Sequence, residues 1–212
     1  MNTEIVTEIS PFSNETQRSM AQHLGMWTFI ATEVLFFGGL FAGYALYRTT
    51  YPEIFAAGSH RLDFWIGTIN TAVLLTSSLC MALADSAAKL GRRAKLQWCL
   101  AGTWLLGAVF LGLKFYEYHE KFVEHLVPGA HFLPGGGAAP QLQLFFVLYF
   151  AMTGLHALHM IIGLGLIGWL WKRAGRGGLS PGHTAPVEIT GLYWHFVDCI
   201  WVFLYPLLYL VR

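Results

Sequence analysis

Six ionisable side chains stand in apolar surroundings where a charge is costly. Glu33 lies within Phe29-Ile-Ala-Thr-Glu-Val-Leu-Phe-Phe37, His156 and His159 within Gly154-Leu-His-Ala-Leu-His, and Glu188, His195 and Asp198 within one stretch running to Tyr205. Acids and imidazoles at membrane depth are expensive, and they are functional candidates by default. Three kinds of chemistry suit them. A protonatable carboxyl can exchange protons, facing histidines and acids can hold a metal, and the same groups can neutralise one another in hydrogen bonds between helices.

The neighbours of Glu33 at i−4, i+3 and i+4 are Phe29, Phe36 and Phe37. Such an aromatic surround is expected to offer no donor, so a charged carboxylate there is disfavoured. Glu33 reads either as a proton-linked or lipid-linked group, or as an acid making one interhelical bond for packing. His156 and His159 are three apart and share a helix face. Glu188 and His195 are two turns apart, with Asp198 one turn further. These five residues read best as a hydrogen-bonded network locking their two helices together. A metal site fits less well, because no thiolate is near and the tight spacings of the common zinc motifs are absent. No metal is therefore expected.

The elements that must position these groups are transmembrane helices. Hydrophobic residues make up 55% of the 212 and charged residues 12%, with a mean hydropathy of +0.51. This lies outside the range of soluble domains. A net charge of +1 and the lack of a basic run exclude a nucleic-acid surface. Five segments reach the ~20 residues that a bilayer requires: Gln22–Arg48, Asp63–Ala84, Lys95–Lys114, Gln141–Trp171 and Val187–Val211. The fold expected is an all-α integral membrane bundle of five helices, residues 22–212, behind a polar tail, residues 1–21, that does not read as a cleavable signal. The fourth segment, at ~45 Å, must tilt or protrude.

Eight basic residues fall in loops on the N-terminal side (Arg18, Lys89, Arg92, Arg93, Lys95, Lys172, Arg173 and Arg176), against five on the other (Arg48, Arg61, Lys114, Lys121 and Arg212). That excess puts the N-terminus inside and the C-terminus outside. Cys80, Cys99 and Cys199 show no disulfide or zinc spacing and read as small apolar fillers. The run Tyr116-Glu-Tyr-His-Glu-Lys121 reads as an aromatic interface anchor with a Glu117–Lys121 pair, or as a docking patch. Pro128 to Pro140 reads as a Gly/Pro-rich connector.

Three stretches resemble subunit III of the haem-copper terminal oxidases, and of cytochrome c oxidase in particular. They are His23-Leu-Gly-Met-Trp-Thr-Phe-Ile-Ala-Thr-Glu33-Val-Leu-Phe-Phe, Gly154-Leu-His-Ala-Leu-His-Met-Ile-Ile-Gly163, and Glu188 to Tyr205 with its Tyr-Trp-His-Phe-Val-Asp core. Asn70-Thr-Ala-Val-Leu-Leu and Tyr116 to Lys121 support the resemblance. Typical members carry an additional N-terminal helix pair that closes a lipid-filled cleft. This chain resembles the remaining five helices.

The resemblance implies a non-catalytic subunit of a proton-translocating oxidoreductase of aerobic respiration. Haem and copper belong to its partners, and this chain holds no cofactor of its own beyond bound phospholipid. It implies packing on oxidase subunit I, with subunit II and other respiratory subunits as further partners, in a bacterial inner (plasma) membrane. It also implies support of proton uptake, protection during turnover, and an apolar oxygen route. Glu33 favours a cytochrome c oxidase over a quinol oxidase or a nitric-oxide-reductase accessory protein. From other classes stand a proton-coupled transporter using Glu33 and Asp198, which would require repeat halves that are absent, and a metal enzyme using His156, His159, Glu188 and His195.

Overall fold

The computed structural model describes residues 15–129, 132, 139–176 and 184–211, without the side chains of 15, 16 and 139. Most of the expected tail, and residues 130–131 and 133–138 of the connector, lie outside the described residues. Every element among the described residues is a helix: α1 (Glu15–Thr50), α2 (Pro52–His60), α3 (Phe64–Lys89), α4 (Arg93–Val123), α5 (Ala139–Gly175) and α6 (Ala185–Tyr209). Five of them, all but α2, are long and apolar enough to cross a membrane. The bundle has two ends, one where α1 begins and one where α6 finishes. We call these the N-terminal face, where α1 begins, and the C-terminal face, where α6 ends.

Local chemistry sets the boundaries. Asp63 caps α3, its Oδ1 accepting from Trp65 N at 2.8 Å and Ile66 N at 3.2 Å, so two orphan amides of the first turn are satisfied. Gly91, at φ 66°, closes α3 by letting Arg92 N reach back to Ala87 O at 2.9 Å. A left-handed residue is needed there and glycine takes it at no steric cost. Pro186 sits in the first turn of α6, where its missing N–H costs nothing. Helix α1 starts before the expected Gln22, which makes the last residues of the expected tail helical. Short helix α2, led by Pro52, was expected as loop: nine residues carry too little periodicity to stand out in a sequence.

Helices α3, α4, α5 and α6 form a ring of four, α3 beside α4 and α6, and α5 beside α4 and α6. Helix α1 lies outside it along α5 and α6, while α2 leans on α5. Of the five spans α1 buries the smallest share of its apolar window, 11% against 50% for α6, as expected of a helix awaiting lipid or another chain. The ring closes tightly because Trp194 of α6 occupies a notch made by two glycines. A Cβ on Gly107 of α4 would stand 2.7 Å from its ring, and one on Gly163 of α5 would stand 2.8 Å away. Small residues permit such close approach between membrane helices.

Candidate functional site: buried polar groups along the bundle

Glu33, near the middle of α1, reaches α5. Its Oε2 lies 3.4 Å from His159 Nε2, both side chains being mostly buried. The other ring nitrogen, Nδ1, is 2.9 Å from Leu155 O. A carbonyl only accepts, so Nδ1 carries a proton and points it at the backbone. Nε2 and the carboxyl are then two acceptors unless one proton is present between them. The approach is close enough for an ion pair but is not aligned as a hydrogen bond, and Oε2 makes none. Phe29, Phe37 and Tyr193 surround the imidazole at ring separations of 6.5, 5.8 and 6.4 Å. Phe29 and Phe37 of the expected shell are present here, joined by Tyr193, while Phe36 is exposed. Beside the carboxyl stands a group from the neighbouring helix, the His159 imidazole.

The His159 ring makes no hydrogen bond to α6, although Tyr193 stacks beside it; Tyr193 instead donates to the His159 carbonyl at 3.0 Å. His156 parts from it as well. Three residues advance a helix by about 300°, so the two rings diverge by ~60°. One turns toward α1 and the other into the ring of four helices. There His156 is buried without a hydrogen bond on either nitrogen, packed against Phe110 and Trp201 at centroid distances of 5.5 and 5.2 Å. Both histidines lie near the middle of α5, which starts at Ala139 and runs 37 residues.

The α6 residues face α3 and α1 instead of the histidines of α5. Glu188 meets Lys89 Nζ at 3.5 Å, His23 Nε2 at 3.7 Å and the Thr184 hydroxyl at 3.1 Å. Lys89 also pairs with Asp85 at 2.9 Å. His195 Nδ1 is 2.7 Å from Ser78 Oγ. Ser78 also neighbours Asp198, although neither Asp198 oxygen makes a well-formed hydrogen bond. The expected single network linking α5 to α6 is thus three separate arrangements. The reason is that α6 turns its polar stripe toward α3, whose own polar residues at 78, 85 and 89 repeat the spacing. The spacing of Ser78, Asp85 and Lys89 along one face of α3 was a signal in the sequence; His23, on α1, had none.

A fourth cluster lies near the C-terminal face. Lys114 Nζ contacts Glu117 Oε2 at 3.0 Å, Tyr209 Oη at 2.8 Å and Tyr149 Oη at 3.2 Å. Both tyrosines donate to Glu117 Oε1, at 2.9 and 2.6 Å. The ammonium also lies 5.1 Å from the Trp201 and Tyr149 ring centroids, close enough for cation–π attraction. Every polar atom is used and water is excluded, so the cluster ties α4, α5 and α6 together. The expected Glu117–Lys121 pair is replaced: Glu117 turns inward to Lys114, and Lys121 pairs with Glu124 at 2.7 Å. The i,i+3 spacing of Lys114 and Glu117 inside an apolar run was the available clue. Among the described residues no group of three or more His, Cys, Asp or Glu is placed to hold a metal ion.

Residues 4–211 match the family model described as cytochrome c oxidase subunit III. The chain is similar to "Cytochrome c oxidase subunit 3" of Thermostichus vulcanus, 35% identical over 193 residues covering 89% of this chain and 86% of the other. It is also similar to "Cytochrome bo(3) ubiquinol oxidase subunit 3" of Pseudomonas putida, 30% identical over 89% of this chain and 84% of that one. A third relative is the "Heme-copper oxidase subunit I+III" of Aeropyrum pernix, 30% identical over 95% of this chain and 23% of that longer polypeptide.

Proposed function

The chain belongs to the cytochrome c oxidase subunit III family, and from that we propose that it serves as the non-catalytic subunit III of a cytochrome c oxidase. In this role it packs on subunit I, binds phospholipid and supports proton uptake and stability during turnover. The observation that carries the assembly role is the fused relative, in which the subunit I and subunit III portions share one polypeptide. A covalent link between two chains implies that their unfused counterparts work side by side. Five span-capable helices make the protein a membrane protein, and a bacterial plasma membrane is the site we propose for it. Haem and copper reside in the partners on this reading.

Proton support is favoured by the N-terminal face, where His23, Asp85, Lys89 and Glu188 bring together titratable groups from three helices. Glu33 with His159 places a second carboxyl–imidazole contact near the middle of α1 and α5. His156, buried without a partner, acts in packing. The test is purification of a tagged chain in mild detergent. A haem spectrum with a co-purifying subunit I is expected, and a chain isolated without any haem-bearing companion overturns the reading. A second reading, subunit III of a quinol oxidase, is favoured by the ubiquinol oxidase relative. A co-purifying subunit II that lacks a binuclear copper centre would establish it.

A further inference from the structure

Helices α3 and α4 run antiparallel and share the most extensive seam of the bundle. Two close contacts fix their register. Ser77 Oγ donates to Thr103 O at 3.2 Å, and Cys80 Sγ lies 3.7 Å from where a Cβ on Gly102 would stand. Ser77 and Cys80, three apart, are neighbours on one face of α3. Cys99, Gly102 and Thr103 stand at i, i+3 and i+4, so they share one face of α4. Thr103 Oγ1 also bonds Cys99 O at 2.9 Å, one turn back along that helix. A step of one turn along α3 from Ser77 matches a step of one turn back along α4 from Thr103. Cys80 therefore stands level with Cys99 on the surfaces that the two helices turn toward each other. Both thiols are partly exposed, whereas Cys199 of α6 is exposed. The pair lies ~9 Å along α4 from its start at Arg93, toward the N-terminal face.

As small apolar fillers, the reading that spacing alone supports, neither cysteine asks anything of the other. Two opposed thiols have a chemistry that neither has singly: a sulfenic acid formed on one condenses with the other to a disulfide. Closure requires that the two backbones already stand close. Gly102 permits this, because with no side chain there nothing from α4 stands between its backbone and the Cys80 sulfur. In proteins facing a reducing compartment, such pairs are transient redox elements rather than permanent cross-links.

We propose that Cys80 and Cys99 are an oxidisable dithiol, which peroxide closes to a reversible disulfide joining α3 to α4. Hydrogen peroxide oxidises one sulfur: an S–O bond forms, the O–O bond breaks, and the thiol proton leaves with the departing oxygen as water. The second sulfur then attacks the sulfenic sulfur. The S–S bond forms, the S–O bond breaks, and a second water carries off the second thiol proton. Two thiols thus give two electrons to one peroxide, yielding one disulfide and two waters. Closure spares the first sulfur from further, irreversible oxidation, and exchange with a small thiol reopens the pair. The dithiol lies entirely within this chain, so it goes beyond the subunit III reading and does not depend on which oxidase the chain serves.

The test treats the full chain, purified with its companion subunits, with hydrogen peroxide, then blocks remaining thiols and digests the protein without reductant for mass spectrometry. Peptides carrying Cys80 and Cys99 are expected to appear joined. The chain has three cysteines, so its free thiols should fall from three to one, and dithiothreitol should restore all three. Cys199→Ser should leave the link intact. Cys80→Ser and Cys99→Ser, which change one atom each, should abolish it and leave a sulfenic acid on the remaining seam cysteine that dimedone captures. The proposal is overturned if the wild type forms no Cys80–Cys99 link, if the link runs to Cys199, or if mixed isotope-labelled and unlabelled chains show that it joins two molecules. A single variant that yields no dimedone adduct overturns the sulfenic route. Loss of haem companions, by contrast, would touch only the assembly reading.

Discussion

Lys114 and Glu117 form an ion pair with no access to water, Nζ to Oε2 at 3.0 Å with side-chain exposures of 3% and 0%. Breaking such a pair from one side leaves an uncompensated buried charge. Glu117→Leu alone is therefore expected to destabilise the protein by about 3–5 kcal/mol. Lys114→Met combined with Glu117→Leu should recover most of that loss. Unfolding of both variants in detergent, followed by helical circular dichroism, measures the difference. A double variant as unstable as the single one would show that the tyrosine contacts, rather than the charge pair, set the stability.

The notch around Trp194 predicts a different failure. Gly107→Val places a branched side chain where even a Cβ stands 2.7 Å from the indole. Overpacking of this kind costs roughly 1–3 kcal/mol. Trp194 would also lose its bond to Ser77 Oγ, 3.1 Å in the native bundle. A lowered melting temperature with a shifted tryptophan emission is expected, whereas Gly165→Val, where a Cβ meets nothing within 4 Å, should be silent in both.

The five long helices were legible in the sequence because they rest on apolar length, which a bilayer reads residue by residue. Helix α1 was misjudged only at its start, since its first turns are polar. The partnerships of the polar groups were not legible. Which helix His159 faces depends on the ~60° between it and His156, and on α1 lying against α5, a tertiary fact no local pattern encodes. Glu33 illustrates the same point: its phenylalanine neighbours are in its own helix and were visible, but His159 is 126 positions away and was not. Glu117 lost its expected partner Lys121 because burial favoured the satisfied cluster over a surface pair worth only ~0.3–0.5 kcal/mol.

Glu33 and His159 carry a third prediction. With Nδ1 of His159 committed to Leu155 O, Glu33→Gln can offer its amide N–H to Nε2, so the contact survives without a mobile proton. Assembly and melting are expected to stay within ~0.5 kcal/mol of wild type, while labelling by an apolar carboxyl reagent at this position disappears and sustained turnover of the complex declines. A variant that no longer assembles would make Glu33 a packing residue.

Orientation follows from the same burial. Of the five basic residues counted on the C-terminal side, Lys114 is enclosed by Glu117 and two tyrosines, and Lys121 is bound to Glu124 and nearly buried. Neither acts as a free loop charge. On the N-terminal side Lys89 is likewise tied to Asp85 and Glu188, so the excess of basic residues on that side persists, and that face is expected on the cytoplasmic side. A cysteine at position 92 should accordingly resist an impermeant thiol reagent in intact cells, and one at position 61 should react. The predicted topology reverses if the labelling pattern is the opposite. Lys114→Met should leave the pattern unchanged while destabilising the bundle, separating a charge that steers insertion from one that only packs.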